Sequence, residues 1–173
     1  MNTIDASDIT QSAQKIYSFE ELLSNQGYLI YTSVGTSMLP LIRERRDVIE
    51  IRAKSPNKRC NRYDVVLFKG ADKYILHRVL KVREKDYIIC GDHNVQCEIG
   101  VTDRQILGVM TRLIRNGKQI TPSNKAYKLY VHLWCDFFHI RVAILYSKMI
   151  IDTGIRKIKC LYKKLTRKDG EAD

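Results

Sequence analysis

The chain reads as mainly β: a coiled antiparallel sheet or partial barrel, with a short N-terminal helix and a long C-terminal amphipathic helix. Three observations predict this. Between Tyr28 and Arg115, β-branched and aromatic runs recur, separated by tight polar turns. A helix-capping sequence stands just ahead of them. After Pro122 the turns stop and apolar residues take up helical spacing. At 173 residues the chain is one domain with an appendage, long enough to bury a core.

Taken in order, residues 1–14 are polar and expected to be loose. Ser18-Phe19-Glu20-Glu21 is a capping box, with a serine three residues before a glutamate. The helix runs through Leu22 and Leu23, and Gly27 supplies its stop. Tyr28–Val34 is rich in strand formers, as is Asp47–Ile51. Lys54–Asn61, with Ser55-Pro56-Asn57, is a loop. Strands follow at 64–68, 73–82, 86–90 and 106–115. Lys69-Gly70-Ala71-Asp72, Glu84-Lys85-Asp86 and Asn116-Gly117 are the turns between and after them. Three regions result: 1–27, an N-terminal segment and short helix; 28–122, the β domain; 123–173, an amphipathic helix and basic tail.

In the last region Lys128, His132, Asp136, His139 and Ser147 recur along one helix side. Leu129, Leu133, Phe137, Ile140, Ile144 and Ile151 lie towards a broad apolar side. Arg141 and Lys148 form a second polar line. No run approaches the roughly 20 apolar residues that span a bilayer. From Arg156 to Lys168 lysine and arginine dominate, and the whole chain carries a net charge of +11. Such a helix either covers the β domain or lies on an anionic membrane through residues 125–168. No interleaved aromatic platform favours nucleic acid. The five cysteines show no C-x-x-C spacing, which fits reduced thiols in the cytoplasm. No basic start with an apolar core marks a secretory signal. The expected location is the cytoplasm, with or without peripheral membrane contact. No cofactor or metal is expected.

The chemistry centres on Gly35-Thr36-Ser37-Met38-Leu39-Pro40. Gly35 permits positive φ or close backbone approach. Pro40 fixes its own φ and keeps Leu39 extended. A hydroxyl is thus presented on a constrained turn at a strand end. Two further stretches join it: Tyr74-Ile75-Leu76-His77-Arg78-Val79-Leu80, and Gly91-Asp92-His93-Asn94 after Asp86–Cys90. A serine hydroxyl needs a base to take its proton, and histidine titrates near neutral pH. Arg78, next along a strand, must face the other way from His77 and pair with a carboxylate.

These three motifs, in this order, resemble the type I signal peptidases and their relatives, the self-cleaving SOS repressors. His77-Arg78-Val79 is similar to the histidine (endoplasmic-reticulum and archaeal) type rather than the lysine type. The resemblance covers roughly residues 30–115. It implies a serine endopeptidase that removes a signal- or leader-like segment from a precursor through an acyl-enzyme. Ser37 is then the nucleophile, with its backbone N–H an oxyanion donor, and His77 is the general base and acid. An acidic third member is left open between Asp92, in Gly-Asp-x-Asn, and Glu98, where histidine-type relatives carry an aspartate. His93 is expected to be an exposed loop histidine. The chain departs from the family in several places. Gly35 stands where many signal peptidases carry a second oxyanion hydroxyl. Arg46 and Tyr63 replace turn glycines, and residues 1–30 contain no anchor.

Two readings from other classes stand beside this one. A non-enzymatic basic β module would bind a membrane surface or nucleic acid through its tail. An autoproteolytic domain would cut a segment of its own chain.

Overall fold

The computed structural model describes residues 18–168. The polar stretch 1–14 and the last residues of the basic tail lie outside the described residues. Helix α1 (Phe19–Gln26) opens with the expected capping box. The Glu21 N–H donates to Ser18 Oγ at 3.2 Å, and the Ser18 N–H donates to Glu21 Oε2 at 2.9 Å. Gly27 closes the helix at φ 75°, in the left-handed region where a Cβ is unfavourable.

Eight strands follow: β1 (Tyr28–Thr32), β2 (Val48–Ala53), β3 (Val65–Lys69), β4 (Tyr74–Val82), β5 (Tyr87–Cys90), β6 (Glu98–Val101), β7 (Ile106–Arg115) and β8 (Lys118–Ile120). They form one antiparallel sheet ordered β1-β2-β7-β3-β4-β5-β6, with β8 against β7. The sheet is open, since β1 and β6 stand at opposite ends. Helix and strand each take 32% of the chain, because the last helix is so long. Strand β3 is the centre. Val65 and Leu67 join the larger core with Leu23, Met38, Ile42, Ile49, Ile51, Met110 and Leu113. Val66 and Phe68 join a second core with Val79, Tyr87, Ile89 and Ile106. A strand buried on both faces has no polar alternation, which is why 64–68 is almost wholly apolar.

Besides shifts of one or two residues at the ends of β2 to β5, the strands differ from expectation as follows. Strand β1 stops at Thr32, so Val34, 74% exposed, belongs to the serine loop. Strand β2 starts at Val48 and leaves Asp47 in that loop. Strands β6 and β8 were not expected. Glu98-Ile99-Gly100-Val101 contains a glycine at φ 89°, and Lys118-Gln119-Ile120 is three residues long. Neither carries the β-branched run that marks a strand.

The expected single helix is broken. Helix α2 (Lys125–Val131) passes through one π-type turn (His132–Asp136) into helix α3 (Phe138–Lys168). The side that packs is not the apolar one. Leu129, Leu133, Phe137, Ile140, Ile144 and Ile151 are each between 51% and 61% exposed. Tyr127, Val131, Cys135 and Arg141 are buried instead. The reason is polar satisfaction. That face of the sheet carries a buried ion pair, and the aromatic donors of the α2 side complete its hydrogen bonds. No described helix is long and apolar enough to cross a membrane.

Candidate active site

The serine loop runs from Ser33 to Asp47 and is pinned at both ends. Gly35, at φ 110°, donates its N–H to Glu44 Oε2 at 3.0 Å. Met38, Leu41 and Ile42 drive apolar side chains into the larger core, Met38 being only 2% exposed. The Leu39–Pro40 bond is cis. At the far end buried Asp47 accepts from the Arg43 N–H at 2.9 Å and from Arg115 Nε at 3.1 Å. Burial alone would raise the Asp47 carboxyl, but the hydrogen bonds from Arg115 and the Arg43 amide hold it below the usual range. Ser37 therefore sits half-buried on a loop fixed by core contacts on one side and an ion pair on the other.

His77 comes from β4, opposite Val66 of β3. Its side chain therefore shares the second-core face, with the ring 6.3 Å from that of Phe68. Glu98 reaches it across two strand pairings. Glu98 of β6 is opposite Ile89 of β5, which is opposite Val79 of β4, two residues beyond His77. All four side chains fall on one face by the alternation of the pleat. Glu98 Oε2 lies 3.1 Å from His77 Nδ1. Nδ1 then carries the proton and Nε2 is left as acceptor, facing Asn94 Nδ2 at 3.5 Å.

The loop after β5 touches both Ser37 and His77, which make no hydrogen bond with each other. The His93 N–H donates to the Ser37 carbonyl at 2.8 Å. Gly91 passes between the two. A Cβ there would sit 2.6 Å from the Ser37 carbonyl oxygen and 2.9 Å from His77 Nε2, so only glycine fits. Ser37, His77, Asn94 and Glu98 line one cleft of about 650 Å³, walled by Phe19, Tyr31, Val34, Tyr74 and Leu76. Within the described residues the Ser37 hydroxyl and backbone N–H make no hydrogen bond, which leaves both free for a substrate. Serine–histidine bonds without substrate are often long and tighten on binding.

Asp92 is not at the histidine. It is fully buried on the opposite face, where Arg78 Nε and Nη2 grip Oδ1 and Oδ2 at 2.8 and 2.7 Å. The Tyr130 hydroxyl donates to Oδ2 at 2.9 Å, and Trp134 Nε1 donates to the Asp92 carbonyl at 2.7 Å. With its oxygens so occupied, Asp92 does not reach His77, and of the two acids Glu98 is the one in contact with the ring. Burial works against the Arg78 cation, but Asp92 beside it holds the guanidinium well above its ordinary range. Arg78 Nη1 also donates to the Tyr63 carbonyl at 2.9 Å and to the Tyr127 hydroxyl at 3.0 Å.

His93 is half-buried rather than exposed, in a second cleft against α3. Burial, then the nearby Lys148 cation, pushes its imidazole below its ordinary range. Of the two replaced turn glycines, Tyr63 holds the left-handed conformation itself, at φ 77°. At the other turn Arg45, beside Arg46, takes φ 52°. A side chain in that region carries strain of about 1–3 kcal/mol; Tyr63 packs against the larger core, and the Arg45 N–H donates to the Ser33 carbonyl at 3.0 Å.

The sequence alone gives Gly91 and Asn94 no role, though both stand in the Gly-Asp-x-Asn motif. Nor does it mark Tyr127, Tyr130 and Trp134, whose spacing of three and four places them on one side of the chain. Among the described residues no group of three His, Cys, Asp or Glu could hold a metal ion. Compared with known proteins, the chain matches no protein-family model, no curated protein and no solved structure.

Proposed function

We propose that this chain is a serine endopeptidase that cuts a signal- or leader-like segment from a precursor. One observation carries the reading: Glu98 holds His77 by Nδ1, which turns Nε2 towards the cleft that also contains Ser37. The similarity of the three motifs to the histidine-type signal peptidases supports the same assignment. Ser37 Oγ attacks the scissile carbonyl carbon and passes its proton to His77 Nε2. The Glu98 carboxylate stabilises the imidazolium that forms. The Ser37 N–H donates to the developing oxyanion. His77 then protonates the leaving amine, and water repeats the sequence on the acyl-enzyme. Gly35 brings no second hydroxyl donor, which limits the rate rather than the kind of reaction.

The reading extends to location. Helix α3 leaves Ile140, Ile144, Ile151, Ile155 and Ile158 exposed along one side, flanked by Lys157 and Lys159. An apolar stripe bordered by cations suits the surface of an anionic membrane.

The test is incubation of the purified chain with precursors encoded beside it, read by mass spectrometry. Ser37→Ala and His77→Ala should each lower the cutting rate by about a thousandfold or more. Cleavage that persists in purified Ser37→Ala protein rejects the assignment. A fragment released from the isolated chain itself would instead point to autoproteolysis.

A further inference from the structure

The cleft that holds Ser37 and His77 does not end at Glu98. A second cleft, of about 680 Å³, opens between the 93–98 loop and helix α3. Asn94 and Glu98 line both, so the two clefts adjoin at these residues, both of which contact the His77 ring. Leu145, Tyr146 and Met149 give the far wall its apolar area. Lys148, Asp152 and Arg156 follow one another at four-residue steps along the same wall.

The two ends of this second cleft differ in charge. The helix wall offers two cations and one carboxylate, while Glu98 stands at the other end, against the His77 ring. Behind Asn94 lies Arg141, 1% exposed, whose Nη2 donates to the Asn94 carbonyl at 3.1 Å. Its Nε and Nη1 have no hydrogen-bond partner among the described residues; the guanidinium lies over the Phe138 ring at 4.6 Å, and none of the ion pairs among those residues includes it. A buried cation without a counter-charge raises the potential of the cleft beside it.

Resting on the peptidase reading, we infer that this second cleft is a remote substrate subsite for a peptide segment carrying an apolar side chain next to an acidic one. The apolar side chain seats on Leu145, Tyr146 and Met149, and the acidic one faces Lys148 and Arg156. The segment lies on the far side of the scissile bond from the part held by Tyr31, Val34 and Leu76. The chain then reads its substrate at two places. One adjoins the cut, and the other is built by α3, an element outside the β domain.

The experiment uses the full chain on a proteome-derived peptide library, with cut sites read by mass spectrometry. The expected profile shows an apolar and acidic preference several residues from the cut, on one side only. Lys148→Glu should reverse the acidic preference to a basic one, and Met149→Asp should remove the apolar preference. Each should change the rate on matching peptides about tenfold, while preferences beside the cut stay as they were. Both residues are exposed on α3, and circular dichroism checks that the helix remains. Ser37-dependent cutting with no remote preference, or with one that Lys148→Glu leaves unmoved, overturns the subsite alone. An absence of cutting, or cutting that survives Ser37→Ala, overturns the peptidase reading instead.

Discussion

Asp92 and Glu98 are six positions apart and have opposite jobs. Asp92 neutralises a buried guanidinium, and Glu98, about one-third exposed, orients an imidazole. Their isosteric amides should therefore fail differently. Asp92→Asn strands the Arg78 cation in the core and should cost about 3–5 kcal/mol of stability in denaturant unfolding. Glu98→Gln should change stability by less than about 1 kcal/mol. It should nevertheless lower turnover by roughly 10²- to 10⁴-fold, because the amide no longer fixes the tautomer. The reverse pattern would move the third member back to Asp92. Gly91 makes a separate test of the junction. Gly91→Ala puts a methyl against the Ser37 carbonyl and His77 Nε2. It should lower turnover at least tenfold, roughly, by parting the two groups, and wild-type turnover in a folded variant would show that their closeness is not needed.

At the scale of elements, local signals were legible and pairings were not. The capping box of α1 and the apolar runs of β3, β4, β5 and β7 carry their structure in neighbouring residues. Strand β6 does not. Glu98 becomes a strand residue only because β5 offers it an edge, and that edge delivers it to His77. The same holds for α2 and α3. Helical period revealed an apolar side, but the side that packs was chosen by Arg78 and Asp92, far away in sequence. The serine loop shows how an element can hold a site and set a pH limit. Asp47, whose carboxyl is held below its ordinary value of 3.8, ties the loop to Arg115. A group depressed by folding contributes stability above its unfolded pKa and loses it as pH falls through the folded one. Thermal stability should therefore drop as pH falls below about 4. Asp47→Asn should be less stable at neutral pH and show a shallower acid slope. Part of the slope should survive, because Glu50 and Asp103 are depressed in the same direction. An unchanged slope would remove Asp47 from the clamp.

For the whole molecule the question is why a β domain should carry a 31-residue helix whose apolar stripe faces away from it. One side of α3 is accounted for: Phe138, Arg141 and the wall of the second cleft turn towards the domain. The other side exposes Ile140, Ile144, Ile151, Ile155 and Ile158, and a stripe of that size in water needs a partner. The net charge of +11 is the reason an anionic surface is the one proposed. Sedimentation with vesicles should separate the possibilities. Binding is expected to vesicles of mixed phosphatidylserine and phosphatidylcholine, to weaken as salt is raised, and to be slight with phosphatidylcholine alone. Ile144→Asp with Ile151→Asp should abolish it without changing the fold, because both side chains are exposed. Equal binding to neutral vesicles would leave the cations without a role. No binding, with dimers in solution that the same two changes dissolve, would make a second copy of the chain the partner. Where the vesicles do hold the chain, the stripe lies against lipid and the second cleft, on the opposite side of α3, stays open to a peptide.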